Sequence, residues 1–496
     1  MADILLAHSY HLSYDPKQVR KMQPYPPLGT LYAAAALREH GFSAAVFDPM
    51  LQDPIRGFLE ILRQQKPAIV AIYEDDFNFL SKMCLTRMRE LAWQLAQTAR
   101  DAGAIVIAHG SDATDHAREY LQNGADFVLV GEAEQSLVEL CASILAGGAL
   151  SKEIAGVIHI DAEGKLRQSS VKSPRNANWK NLVKPARELV DLEPYRDAWV
   201  KAHGHFSTNV VASRGCPYRC NWCAKPISGN KFQLRPPQLV ADEIRELKEV
   251  YGVEHIWFGD DIFALNLHWV KQFADEIEAR NCALPFKIQS RADLMSVETV
   301  AGLKRAGCTE VWMGVESGSQ RVLDSMDKAL RVAEVESARA RLKDAGIRAC
   351  YFLQFGYPGE QWEDIQQTIA LVRNTRPDDI GVSFSYPLPG TAFFDRVQEQ
   401  IGSKKNWTDS DDLCLMFKAA YKDEFYLSVR NALHAEVDSW HSNDPEVDLV
   451  SLWRKVFALE ETSKESEATS FAPYESSASG ISTDQLVHLQ TAQPAR

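Results

Sequence analysis

The chain has 496 residues, 45% hydrophobic and 24% charged, which excludes a disordered, collagenous or small disulfide-stapled protein and at roughly 150 residues per domain suggests about three domains. Its 54 Lys and Arg against 67 Asp and Glu give a net charge of -13. No basic stripe suited to a phosphate backbone accompanies that balance, so nucleic acid is not an expected partner.

The apolar run near the N-terminus is too short for a signal-peptide core, and no run reaches the ~18 residues of a membrane span. A cytoplasmic location is therefore expected, with the nine cysteines kept reduced. In residues 1–150, strands are predicted at 3–7, 43–48, 68–73, 104–108 and 126–130, with helices between them, including 28–40 and 80–102. Each strand is a nearly continuous apolar run, as in a doubly wound parallel sheet covered on both faces. A ligand of such a sheet sits at the carboxyl ends of the strands, here the loops 8–13, 74–78, 109–112 and 131–132. The acidic triplet Glu74-Asp75-Asp76 is expected to be a solvated loop, with Phe77 and Phe79 beside it serving packing or ligand contact.

Residues 151–204 carry Pro174, Pro185, Pro194 and one predicted strand at 155–160, and are taken as a linker with edge structure. In residues 205–400, strands at 208–213, 254–258, 285–289, 309–315, 347–355 and 379–385 alternate with helices such as 237–251, 267–281, 333–345 and 361–373. Six strand-helix units without a glycine-rich dinucleotide fingerprint predict a complete or partial barrel, with its functional groups at the C-terminal ends of the strands. Residues 401–459 are expected to form a small helical region. The polar stretch 460–496 is expected to be a disordered tail, because it has too few aliphatic residues to offset the entropy of ordering.

The first barrel strand runs into Arg214-Gly215-Cys216-Pro217-Tyr218-Arg219-Cys220-Asn221-Trp222-Cys223, a C-x3-C-x2-C spacing. A structural zinc site wants four closed ligands, and no fourth Cys or His lies nearby at matching spacing. Three thiolates instead suit an iron-sulfur cube with one iron left open to another ligand. This segment resembles the signature of the radical S-adenosylmethionine (SAM) enzymes, with Trp222 at the aromatic position. The resemblance implies a [4Fe-4S] cluster on Cys216, Cys220 and Cys223, SAM chelating the open iron, and reductive cleavage of SAM to a 5'-deoxyadenosyl radical. It covers about residues 205–390.

Other strand ends look like the remaining SAM-binding elements of that family. Gly259, Asp260 and Asp261 correspond to the site for the methionine amino group, Arg291 to a partner for its carboxylate, Glu316 to the ribose contact and Gly356 to the adenine turn. Simpler readings stand beside these: an N-cap pair for Asp260 and Asp261, a surface salt bridge for Arg291, and helix-start and turn roles for Glu316 and Gly356.

The first domain resembles the Rossmann-like cobalamin-binding domain that precedes the barrel in one subgroup of the family. The resemblance rests on Pro26-Pro27-Leu28-Gly29, on the loop with Gly110, Ser111 and Asp112, and on Gly131 and Glu132, and it implies cobalamin contact at these last five residues. The D-x-H-x-x-G motif, whose His ligates cobalt, does not occur, and His8, His11, His109 and His116 are not expected to replace it. The function implied is a cobalamin-dependent radical SAM methyltransferase acting on an unactivated centre of a small metabolite, lipid or natural product. It would be served by an electron donor such as flavodoxin or ferredoxin. A cyclase, rearrangement or hydrogen-abstraction enzyme that transfers no methyl group is the alternative within this chemistry, and a corrinoid- or cluster-based sensor without turnover the alternative outside it.

Overall fold

The structure is a computed structural model that describes residues 2–147, 154–171, 184–441 and 448–465. Its first sheet has seven strands: β1 (Ile4–Ala7), β2 (Ala44–Phe47), β3 (Ile69–Tyr73), β4 (Ile105–His109), β5 (Phe127–Leu129), β6 (Val157–Ile160) and β7 (Leu166–Gln168). They lie in the order β2-β1-β3-β4-β5-β6-β7, the first five parallel and the last two antiparallel. Alternation along each strand feeds two cores. Leu5, Val70, Ile72 and Val106 meet the helices Pro54–Gln65 and Thr86–Asp101 on one face. Ile4, Leu6, Ala71 and Ile107 meet Leu28–Glu39 and Glu134–Leu145 on the other. The strand order reverses between β1 and β3, the crevice where open α/β sheets bind ligands.

Two features depart from the sequence expectation in this half. The single helix expected over 80–102 is two, Phe79–Lys82 and Thr86–Asp101, because Cys84 between them takes a left-handed φ of 54°. The stretch taken as a linker with edge structure supplies the expected edge strand as β6, and beyond the expectation adds β7 and the helix Glu193–His203, whose Trp199 is buried and donates from its ring N–H to the Pro24 carbonyl at 2.7 Å.

The second sheet contains β8 (Ser207–Val210), β11 (His255–Phe258), β12 (Phe286–Ser290), β13 (Cys308–Glu316), β14 (Arg348–Phe355) and β15 (Asp379–Phe384), with a separate two-stranded ribbon of β9 (Ser213–Arg214) and β10 (Gln233–Leu234) between β8 and β11 in the chain. The six strands are parallel and stand in sequence order, with β8 and β15 at open edges, as a partial (βα)6 barrel. The strand expected over 208–213 divides into β8 and β9, because the Asp260 carboxylate takes the Ala212 N–H at 3.1 Å and the Ser213 hydroxyl out of the sheet. Beyond the barrel, the helices Asp423–Ser439 and Leu449–Thr462 form a C-terminal region, the former packing on β15. The second of these helices runs past Glu460, and most of the expected tail lies outside the described residues. No described helix is long and apolar enough to cross a membrane.

Candidate active site

The cysteine loop is framed by the β9–β10 ribbon, in which Gln233 pairs with Arg214 and Leu234 with Ser213. Gly215 makes the turn out of β9. Its φ is +81°, and a Cβ there would run into the Lys231 carbonyl oxygen. Within the loop, Lys225 donates to the carbonyls of Cys216 and Tyr218, tying its two ends together. All three cysteines are half-buried and free of disulfides. Burial raises the Cys216 thiol and pushes Cys223 up to about 12, with Lys225 pulling both back. Thiols held this way carry protons that binding of a metal centre releases. No three His, Cys, Asp or Glu side chains among the described residues are grouped as a single ion requires.

The donor set fits an anionic cluster. Lys225 acts on Cys216 and Cys223, Lys82 on Cys223, and Arg291 and Lys328 on Cys220. Lys82 is paired with Asp261 at 2.5 Å and reaches this loop from the first domain. Arg291 stacks on the Tyr218 ring at 3.8 Å, binds Asp293 at 2.9 Å, and donates to the carbonyls of Lys328 and Ala329. The Lys328 ammonium is buried, pairs with Glu316 at 2.7 Å and lies 5.9 Å from the centre of the Trp222 ring. Asp327 and Ala329 on either side of it have φ of 51° and 48°, and Glu316 has 63°. Such backbone costs ~1–3 kcal/mol per residue and clusters at functional sites. Local register explains Glu316: pairing of β13 with β14 slips between Gly314 and Glu316.

The structure thus gathers Cys216, Cys220, Cys223, Trp222, Arg291 and Glu316 at one end of the barrel. Several side chains expected there are engaged with neighbouring groups. Asp260 is buried against Ala212 and Ser213, where it fixes the approach to the cysteine loop; Asp261 holds Lys82. Neither caps the helix Leu267–Ala279, since Asn266 does so. Arg291 is buried, so it is not a surface salt bridge. Gly259 packs on the first domain, where a Cβ would lie 3.5 Å from the Phe77 carbonyl oxygen, and Gly356 turns with φ +77° and donates its N–H to Glu360 at 2.7 Å.

In the first domain the acidic triplet is not solvated. Glu74 and Asp75 are buried, and burial raises all three carboxyls, Glu74 to about 7 and Asp76 to about 6. Phe77 is buried with Leu28, Tyr32 and Val211 across the domain boundary, whereas Phe79 is exposed. Gly110 approaches Glu74 so closely that a Cβ would lie 2.8 Å from the Glu74 Cβ. Ser111 is buried, and the Asp112 carboxylate is held by Arg89 at 2.8 Å and Tyr120 at 2.9 Å. The Gly131 carbonyl accepts from His109 Nε2 at 3.0 Å, and Glu132 lies 3.8 Å from Arg214. His8, His11 and His116 bond to Asp48, Pro49 and Glu119.

Tyr73 Oη, Asp75 Oδ2 and His109 Nδ1, at or just beyond the ends of β3 and β4, and Ser81 Oγ, in the helix Phe79–Lys82 that follows β3, are buried without a hydrogen-bond partner. Each such group costs ~1–3 kcal/mol unless a ligand or water meets it. The acetamide and propionamide side chains on the rim of cobalamin offer both donors and acceptors and fit this set. Arg214, Lys225 and Lys328 carry no local sequence signal, because their partners and targets are brought to them by the tertiary fold.

Comparison with known proteins agrees with both halves. The B12 binding domain family matches residues 22–141 and the Radical SAM superfamily residues 210–372. The chain is 24% identical over 391 residues to a Pyrococcus horikoshii protein named uncharacterized methyltransferase PH0819, covering 77% of this chain and 81% of that one. It is 23% identical over 401 residues to the anaerobic magnesium-protoporphyrin IX monomethyl ester cyclase of Cereibacter sphaeroides, covering 76% of this chain and 61% of that one. Among solved structures, the radical SAM methyltransferase TsrM of Kitasatospora setae, with cobalamin and [4Fe-4S] cluster bound, aligns with a TM-score of 0.66 at 19% identity over 81% of this chain and 75% of that one. The cobalamin-dependent enzyme OxsB, with aqua-cobalamin and SAM bound, aligns with 0.70 at 15% identity over 93% and 71%. The chain thus joins a B12 binding domain to a domain of the radical SAM superfamily, and the cofactors these domains imply are cobalamin, a [4Fe-4S] cluster and SAM.

Proposed function

We propose that the protein is a methyltransferase of this family, acting on an unactivated centre of a small metabolite, lipid or natural product. One observation carries the reading. The residue that leads into the cysteine loop, Arg214, is buried against Glu134 and Glu132 just beyond β5 of the first domain, so the two cofactor-binding regions meet at the loop itself. Bound together, the cluster and SAM supply a hydrogen abstractor through one-electron chemistry, and cobalamin supplies a methyl carrier.

The chain's own residues orient these groups and keep water out. Cys216, Cys220 and Cys223 hold the cluster, and the nearby cations offset its charge. Glu316 is the acceptor for the SAM ribose, fixed by Lys328, and Arg291 and Trp222 border the same site. Asp260 and Gly356 act by holding the backbone on either side. Gly110, Ser111, Gly131 and Glu132 line the cobalamin side, with Asp112 shaping that loop through Arg89. The first domain closes over the barrel through Phe77, Tyr32, Leu28 and Val211, which excludes solvent. A small electron-transfer protein, flavodoxin or ferredoxin in type, supplies the reducing equivalents.

The curated relatives named as cyclases keep a second outcome open, a rearrangement or ring closure without methyl transfer. Protein reconstituted without oxygen, incubated with cobalamin and desalted, is expected to retain near-stoichiometric cobalamin and to cleave SAM to methionine and 5'-deoxyadenosine on reduction. Cluster-loaded protein that retains no cobalamin overturns methyl transfer. Replacing any one of Cys216, Cys220 or Cys223 with Ala is expected to abolish both cluster assembly and SAM cleavage, and a variant that kept both would overturn the site.

A further inference from the structure

Alternation along the barrel strands separates two faces. Ile288, Val311, Met313, Leu353 and Val382 are fully buried in the core shared with the surrounding helices. Residues between them, among them Gln289, Trp312, Phe352 and Ser383, point the other way and are only half-buried, so the lumen is not filled by its own side chains. Within that lumen the Trp312 and Phe352 rings are stacked, with centroids 4.8 Å apart and planes 27° from parallel.

The ladder makes this stack a shelf. Phe352 pairs with Gly314 on one side and Gly381 on the other, so neither of its register partners carries a side chain, and the ring is met instead by Trp312, two residues before Gly314 on β13. A Cβ at Gly381 would lie 3.1 Å from Phe352 and 3.3 Å from Trp312. The Trp312 ring N–H is fixed by Glu310 at 2.7 Å. Below the shelf, the segment around Gln23 and Tyr25 of the first domain enters the barrel. Gln23 accepts from Lys287 at 3.1 Å, and Tyr25 packs 4.7 Å from Trp257. Lys287 and Glu310 are cross-strand neighbours of opposite charge, and Glu310 also pairs with Arg348 at 3.1 Å, so the charges at this end of the chamber already have partners within the protein.

We propose that the Trp312–Phe352 stack is the substrate-recognition surface of the barrel and that it takes a flat, conjugated, uncharged ring. An aromatic face gains from an offset partner beyond the area it buries, and an unpaired ionised group would pay to enter a chamber without a counter-charge. The Gln289 carboxamide has no hydrogen-bond partner among the described residues and stands one strand over from Trp312, where it can meet a ring N–H, O–H or carbonyl. This inference rests on the reading of the barrel as the chamber of a radical enzyme and names the class of molecule it holds.

The test uses the holoprotein, loaded with cluster, cobalamin and SAM, in anaerobic equilibrium dialysis against two neutral probes, 2-naphthol and its saturated counterpart decahydro-2-naphthol. The expected result is at least tenfold tighter binding of the flat probe, lost by tenfold or more in Trp312→Ala and in Gly381→Val. Phe352→Leu is the milder variant should either of these fail to fold. Cluster absorbance and melting temperature identify which variants remain folded. Equal binding of the two probes, no binding of 2-naphthol, or wild-type binding in a folded shelf variant overturns the shelf. Failure of the wild-type preparation to cleave SAM instead overturns the underlying function, so the two failures are distinguishable.

Discussion

Arg214 and Glu134, 80 residues apart in the chain, meet through two hydrogen bonds of 2.5 and 3.2 Å in the buried boundary between the two sheets. The guanidinium also lies 5.1 Å from the centre of the Phe77 ring. Arg214 ends β9, and the cysteine loop begins two residues later, so this pair couples the seating of the first domain to the entrance of the cluster loop.

Removing the cation strands two buried carboxylates. Arg214→Met is expected to cost about 3–5 kcal/mol, the range for breaking a buried ion pair, read by urea denaturation. The pair is also a source of acid sensitivity. Burial alone would raise the Glu134 carboxyl, but Arg214 more than offsets it and holds the group below the usual range. A carboxyl lowered in the folded state contributes stability that is complete above its unfolded pKa of about 4.5 and is lost as pH falls through the folded value. In Glu134→Gln that acid-side loss is expected to be smaller. An unchanged slope below pH 4.5 would contradict it.

Gly215 is expected to tolerate no side chain. In Gly215→Ala the left-handed φ and the clash with Lys231 act together, at a cost of about 1–3 kcal/mol in the loop. Because the strain is local, cluster retention after desalting should fall further than the melting temperature does. Wild-type iron content in a folded variant would refute the loop geometry.

Lys328→Met leaves Glu316 buried and uncompensated. Burial pushes the Lys328 ammonium down, and Glu316 beside it, with Cys220, more than restores it, so the folded value lies above the ordinary one. The variant is expected to weaken SAM binding by tenfold or more in an anaerobic titration of cluster-loaded protein. Lys328→Met,Glu316→Gln is expected to recover part of the lost stability, because it removes the stranded charge.

Glu360 behaves in the opposite sense to Glu134. Burial pushes its carboxyl up to about 8, and the Gly356 N–H pulls against that shift. A carboxyl raised on folding contributes stability that is complete below about pH 4.5 and lost as pH rises through about 8. Glu360→Gln keeps an acceptor for the Gly356 N–H and is expected to be more stable than wild type by about 1 kcal/mol or more at pH 9, since each pKa unit is worth about 1.4 kcal/mol. The difference should vanish near pH 5 in paired thermal melts.

The order of strands was readable because buried parallel strands are short continuous apolar runs, and the predicted strands of both sheets lie within one or two residues of β1–β6 and β11–β15. The exceptions have tertiary causes. β8 and β9 separate because Asp260, about 48 residues on, takes the hydrogen bonds a continuous strand would have used. In the 151–204 stretch the expected edge strand is β6, but β7 and the helix Glu193–His203 were hidden by the mixed composition, because β7 depends on antiparallel pairing with β6 and the helix on burial of Trp199 against the first domain. The Glu74-Asp75-Asp76 loop read as solvated because charge is ordinarily exposed; packing of Phe77 against the barrel buries it.

By itself the sequence determined the cysteine spacing, the apolar alternation of two successive α/β units and the glycines whose backbone no other residue adopts easily. These are local properties, set within a few residues. The tertiary structure decided which charges face each other. Arg214 with Glu134, Lys328 with Glu316 and Lys82 with Asp261 join residues 80, 12 and 179 positions apart. It likewise decided that Trp312 and Phe352, on adjacent strands, stack on the half-buried inner face of the barrel sheet. Cross-strand register fixes such a pairing, and register is settled only when the whole barrel packs.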